Sequence, residues 1–138
     1  MSFLSAFNTS VSGMVAQRQR VNTISENIAN AETTRTPQGG PYRRREVVLA
    51  SVANDRTFEE ELLSQDRSVS TSTEVKVVGI VQDERPPILR FEPGHPDANE
   101  EGYVEMPNVN IMEEMVNLMS ANRSYEANTA AFNATKNM

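Results

Sequence analysis

One histidine, one arginine triplet and one run of acids are the residues of this chain best suited to chemistry. His95 sits in Gly94-His95-Pro96-Asp97 and is the sole histidine; there is no cysteine. A lone imidazole can act as a base, but no second histidine and no cysteine exists to complete a metal set. A loop histidine beside proline reads as a structural hydrogen-bonder. Glu59, Glu60 and Glu61 are consecutive, so they fan around any helical turn instead of converging as an acid–base pair. Gly39-Gly40 lacks the lysine and the strand-to-helix setting of a phosphate loop. Arg43, Arg44 and Arg45 suit a phosphate or a carboxylate. The chain carries a net charge of −6, which repels a polyanion. Salt bridges from these arginines to the acidic middle of a neighbouring copy are the better reading. The expectation is a protein with no catalytic residue, cofactor, metal, nucleic acid or small-molecule substrate.

The charges are unevenly placed. Residues 1–45 hold six arginines against Glu26 and Glu32, whereas the rest holds seven basic and seventeen acidic groups. Opposite signs on different parts of one chain favour contact between copies. A solvated acidic surface with a basic loop accounts for the same charges. Of thirteen basic and nineteen acidic residues, only eight lie in Met1 to Ala31 and Asn108 to Met138.

Those two ends must be helices. Leu4, Phe7, Val11, Met14, Arg18, Val21, Ser25 and Ile28 follow a 3-4 spacing close to a heptad seam. Ser2 suits a cap, and Pro37 forbids continuation. About 29 helical residues span roughly 44 Å. At the other end Asn108 or Asn110 suits an N-cap, with Glu113 placed as in a capping box. Glu113 and Glu114 in the first turn and Lys136 in the last suit the helix dipole. The seam there runs Ile111, Met115, Leu118, Asn122, Tyr125, Thr129, Phe132, with Met112, Val116 and Met119 beside it. An intramolecular antiparallel helix pair uses the same seam contacts as an assembly. The outer faces carry Asn, Ser and Thr instead of Lys and Glu, which suits a surface to be covered by protein. Each such residue costs a few tenths of a kcal/mol in a helix, and Gly13 about 1. Packing must offset that sum, so the termini are expected to be mobile until assembled.

Between them lies a turn-rich TPQGGP loop (36–41), then strands expected at Tyr42 to Val52, Glu74 to Gln82, Ile88 to Glu92 and Tyr103 to Met106. Phe58 to Leu63 reads as a helical turn or two and Gln65 to Thr73 as a loop. The fold class is α+β: residues 1–31 and 108–138 pair as one coiled-coil-like helical domain, with 32–107 a loop plus a small, compact β domain. No run of about 18 apolar residues spans a membrane. No basic-then-apolar start marks a cleaved signal. Either the chain stays in the cytoplasm or it leaves by a route that reads an uncleaved N-terminus.

Two motifs in order carry a resemblance. Ser12-Gly13-Met14-Val15-Ala16-Gln17 followed by ISENIANAET (24–33), and EEMVNLMSANRSYEAN (113–128), resemble the signatures of the bacterial flagellar axial family of rod, hook and hook-associated proteins. They cover about half the chain. The short middle, with Gly39-Gly40-Pro41-Tyr42-Arg43-Arg44, His95-Pro96-Asp97-Ala98, Gly102-Tyr103-Val104 and Met106 to Asn110, is similar to its proximal rod members. Arg35 departs from the Gly-aromatic step of hook and distal rod proteins.

The resemblance implies a non-enzymatic rod subunit in the basal body. It would leave the cytoplasm uncleaved and unfolded through the flagellar type III export apparatus and fold in the periplasm. Its helices would line an inner tube around the export channel. Its partners would be its own copies, proximal and distal rod proteins, a basal-body adaptor protein and that apparatus. Asn27, Asn30 and Thr33 would cap the first helix and fix the turn after it. Arg123 would pair with a neighbour's carboxylate, Tyr125 would fill the seam and Asn128 would bond across helices. With the seam residues Leu4, Phe7, Val11, Met14, Val21, Ile28, Ile111, Met115, Leu118, Met119 and Phe132 they form the expected assembly interface. A secreted adaptor gripping one soluble partner through its helices, and a small hydrolase centred on His95, are the rival readings.

Overall fold

The computed structural model describes residues 3–53 and 73–138. Helix α1 spans Phe3–Ala29 and helix α2 Ile111–Lys136. Between them lie strands β1 (Arg45–Ala53), β2 (Thr73–Gln82), β3 (Ile88–Phe91) and β4 (Tyr103–Met106). The Ser2 cap, the helical turn at Phe58 to Leu63, the loop from Gln65 and the glutamates 59–61 lie outside the described residues. The fold is α+β, two long terminal helices packed together with small antiparallel strands between.

The expected single compact β element is instead two separate two-stranded sheets. β1 and β2 pair antiparallel from Arg45↔Gln82 to Ala53↔Thr73, with a bulge between Val48 and Leu49. β3 and β4 pair from Ile88↔Met106 to Phe91↔Tyr103. The first sheet lies against α1: Thr9 Oγ1 donates to the Thr73 carbonyl, and the Val75 N–H donates to Ser12 Oγ. The second touches neither helix as an element. β1 also starts three residues later than expected. Tyr42 is spent on a turn contact, its N–H donating to the Thr33 carbonyl. The Arg45 N–H is spent on Asn27 Oδ1.

The helices run antiparallel, and the buried line between them is not the apolar seam. Leu4, Ile111, Met115 and Tyr125 are exposed, and Phe7, Val11, Met14, Val21, Ile28, Leu118 and Phe132 are half-buried. The buried positions are Ser5, Ser10, Gly13, Ala16, Thr23, Ile24 and Asn27 on α1, Ala31 in the turn after it, and Glu114 and Ala121 on α2. Small residues win these positions because they let two backbones approach. A Cβ added at Gly13 would come 2.9 Å from Asn128 Oδ1. Large side chains meet where the pair ends: the Phe7 and Phe132 rings are 4.4 Å apart, and Thr129 Oγ1 donates to the Met14 sulfur.

Several polar residues of the pair bond back along their own helix, whereas the hydroxyls of Ser5 and Thr23 are buried without a partner among the described residues. Ser10 donates to the Ala6 carbonyl, Ser124 to Ser120, Asn128 to Ser124 and Thr129 to Tyr125. Such bonds satisfy the hydroxyl or amide without a partner helix, at some loss of helix propensity. α2 starts on Asn110, whose Oδ1 accepts from the Met112 and Glu113 N–H groups. Of the two caps expected, Asn108 or Asn110, the helix uses Asn110.

Candidate assembly surface

At one end of the helix pair the two helices and the start of β1 converge on Asn27. This amide is fully used and is 1% exposed. Its Nδ2 donates to the Arg45 carbonyl at 2.8 Å and to Glu114 Oε2 at 3.1 Å. Its Oδ1 accepts from Tyr42 Oη and from the Arg45 N–H, both at 2.9 Å. The second carboxylate oxygen of Glu114 accepts from Arg44 Nε at 2.6 Å. Burial raises the Tyr42 hydroxyl above its ordinary value, against the pull of nearby Arg45. Burial alone would lower Arg44, but the hydrogen bond and charge of Glu114 reverse it, so the guanidinium is raised and stays charged.

Around this knot the chain turns back through residues 30–44. Asn30 Nδ2 donates to the Glu26 carbonyl, ending α1, and Thr33 Oγ1 donates to Asn30 Oδ1. The left-handed backbone at Gly39 and Gly40 (φ 87° and 73°) closes the loop, with the Thr36 N–H bonded to the Gly40 carbonyl. Thr34 Oγ1 donates to Asp97 Oδ2 at 2.7 Å, and Arg35 pairs with the other oxygen of Asp97. The Thr34 bond, aided by the Arg35 charge, holds the Asp97 carboxyl below its ordinary value. At the end of β2, Arg85 pins Asp83, whose carboxyl is pushed down to about 2 by its side-chain and backbone bonds to that residue. His95 takes a turn role: its Nδ1 accepts the Asp97 N–H at 3.0 Å.

The candidate interface residues therefore divide. Asn27 lies inside the chain and binds the chain itself. Arg44 is spent on Glu114 and Glu46, and Arg45 faces Glu26 at 3.7 Å. Arg43 is exposed, and no ion pair holds it among the described residues. Asn30 and Thr33 shape the turn. Asn128 lies against Gly13, and Arg123 and Tyr125 are exposed. Glu114, Tyr42, Thr34 and Asp97 were missed as functional positions. Glu114 had one signal, a carboxylate on the helix side opposite the thioethers.

The outward face of α2 is apolar. Met112 is 71% exposed, and Val116 and Met119 are each 59% exposed. At 100° per residue these side chains lie opposite Glu114, Ala121 and Asn128, the line that faces α1. Met115 and Arg123 belong to the same outward stripe. Leu4 and Val15 are the exposed apolar residues of α1. Single exposed apolar residues are ordinary, but a stripe of large ones marks a contact surface.

Comparisons with known proteins agree with this geometry. Residues 7–35 match the family model described as flagella basal body rod protein, and residues 100–138 match that of the flagellar basal body rod FlgEFG protein C-terminal. These are α1 with the turn after it, and β4 with α2. The chain is 41% identical to the flagellar basal-body rod protein FlgC of Borreliella burgdorferi, with all of this chain and 93% of the relative aligned. It is 44% identical to FlgC of Bacillus subtilis over all of this chain and 94% of the relative, and 38% identical to FlgC of Salmonella typhimurium over all and 93%. With relatives aligned end to end and both terminal motifs matched, the chain belongs to the FlgC family of flagellar basal-body rod proteins.

Proposed function

We propose that the chain is a structural subunit of the proximal rod, one that assembles with its own copies and with proximal and distal rod proteins into a tube around the export channel and transmits torque. The observation that carries this is the two-sided helix pair. Its inner line packs within the chain, and the thioether and valine stripe of α2 is left exposed by the described residues. On this reading residues 1–31 and 108–138 act as one helical domain, and 32–107 lie outside the tube. The outward interface is Leu4, Val15, Met112, Met115, Val116, Met119 and Arg123, with the half-exposed ring of Tyr125 at the edge of the helix pair. Arg43 is the arginine left for a neighbour's carboxylate.

The chain reaches the periplasm uncleaved, through the flagellar export apparatus, and docks on a basal-body adaptor protein. Weak intrinsic helix propensity favours this route, because a pair held by small residues unfolds easily and refolds against neighbours. Stiffness then comes from many shallow contacts made at once. The chain performs no catalysis; its one histidine is occupied in a turn.

The test is to purify basal bodies from cells carrying the tagged chain. The expected result is several copies per particle alongside other rod proteins, and no incorporation of a copy lacking residues 3–30. Recovery of the chain in a one-to-one complex with a soluble partner, and its absence from basal bodies, would replace this reading with the adaptor.

A further inference from the structure

The β3–β4 hairpin carries an apolar patch that the other described residues leave exposed. Phe91 pairs with Tyr103 and Leu89 with Glu105, and cross-strand partners share a face. That face exposes Leu89 and Phe91 at 61% each, with Tyr103 beside them and its ring 5.2 Å from that of Phe91. Glu105, at the end of the patch, has no ion-pair partner among the described residues, and the same holds for Arg123 on α2.

We propose that this patch docks on the outward stripe of α2 in a second copy, with Phe91, Tyr103 and Leu89 on Met115 and Met119, and Glu105 on Arg123. The proposal rests on the rod reading above and names one contact within it. Three observations select this occupant. The spacings match: two residues along a strand advance about 6.7 Å, and the four from Met115 to Met119 advance about 6 Å. Leu89 then stands over Met119 while Phe91 and Tyr103 stand over Met115, and the long Arg123 side chain, one turn beyond Met119, reaches back to Glu105 beside Leu89. The chemistry matches, because thioethers adapt to ring edges and gain from sulfur–aromatic contact. The charges match, because Glu105 and Arg123 lie at corresponding ends of the two surfaces and are both unpaired. The rival cover on a second copy is the outer face of β2, with Lys76, Val78 and Ile80. Its β-branched side chains are stiff at χ1 and conform less to aromatic relief.

The two surfaces differ, so the contact is heterologous and repeats from copy to copy. It is also small. Three large side chains cover far less than the roughly 800 Å² per partner of a stable dimer, so the contact holds only where others act with it.

The test therefore uses the assembled rod. Phe91 is replaced by p-benzoylphenylalanine in cells building flagella, the cells are irradiated, and purified basal bodies are analysed by mass spectrometry. The expected adduct joins residue 91 to Met115 or Met119 of a second copy. Glu105→Arg lowers its yield by about threefold, the scale of one exposed ion pair, and adding Arg123→Glu restores it. An adduct to residues 76–80, an adduct to another rod protein, or no adduct in particles that contain the substituted chain would each overturn the proposal. The presence of that chain in the particles reports on the rod reading separately.

Discussion

Arg44 donates from Nε to Oε1 of Glu114 across 2.6 Å, although seventy residues separate them. Arg44 precedes β1 and Glu114 lies in the first turn of α2, so this bond ties the middle of the chain to its last helix. The carboxylate is 1% exposed. Asn27 bonds its other oxygen, which brings α1 into the same knot.

Removing one partner strands the other. Arg44→Ala leaves a buried carboxylate with the Asn27 amide as its remaining bond and is expected to cost about 3 kcal/mol. The double variant Arg44→Met, Glu114→Leu removes both charges and is expected to recover most of that loss. Urea melts followed by circular dichroism check both. Equal losses in the single and double variants would mean that the packing, not the charge, carries the stability.

Gly13 predicts a near-balance. An alanine there gains about 1 kcal/mol in helix propensity but its Cβ would press on Asn128 Oδ1 at 2.9 Å. That oxygen ends a movable side chain, whose displacement forfeits the bond from Nδ2 to the Ser124 carbonyl, about 1 kcal/mol. Gly13→Ala is therefore expected within about 1 kcal/mol of the parent. Gly13→Leu, too large for any rotation of Asn128 to admit, is expected to lose about 3 kcal/mol. Thermal midpoints of the two variants distinguish a close helix crossing from a loose one.

The elements were legible in the sequence and the contact face was not. Asn110 as a cap, Pro37 as a limit, and the strands near 74–82, 88–92 and 103–106 all followed from local rules about turns, caps and alternation. The 3-4 spacing of large apolar residues left open whether the seam meets the chain's own second helix or a neighbour. Here the inside belongs to Gly13, Ala16, Asn27, Glu114 and Ala121, and Met112, Val116 and Met119 face out. Periodicity fixes which residues share a face, not which face meets the partner within the same chain. Arg44 misled for a related reason: its acid partner lies seventy positions away, and only the fold brings it near.

Acid should loosen the loop that Asp97 clasps. The Asp97 carboxyl lies below its ordinary value through Thr34 and Arg35. A depressed carboxyl stabilises the fold fully above its unfolded value of about 4. That contribution fades as the pH falls through the lower folded value. Asp83 is depressed in the same sense, to about 2, by its bonds to Arg85. In a carboxyl-resolved NMR titration, Asp97 should titrate below pH 4 with the amides of Thr34 and Arg35 shifting alongside. Arg35→Ala should raise the Asp97 midpoint only in part, because the Thr34 bond remains. An Asp97 midpoint at the ordinary carboxylate value would mean that the clasp is not formed in solution.

The helix pair is unevenly held along its length, and exchange should show it. The unevenness is on α2: Glu114 and Ala121 are buried toward the knot and no residue of α2 beyond Ala121 is, although Ser5, Ser10, Gly13 and Ala16 of α1 are buried at the far end. The far end rests on the Phe7–Phe132 stack and the Gly13–Asn128 approach. Fewer buried contacts mean lower opening energies. In the free chain, amides after Ala121 should exchange at least about tenfold faster than those of residues 115–121, a difference of about 1.4 kcal/mol. Phe132→Ala should widen the gap, and incorporation into the rod should abolish it as neighbours cover the stripe. Uniform protection along α2 in the free chain would mean that the pair is a rigid unit before assembly.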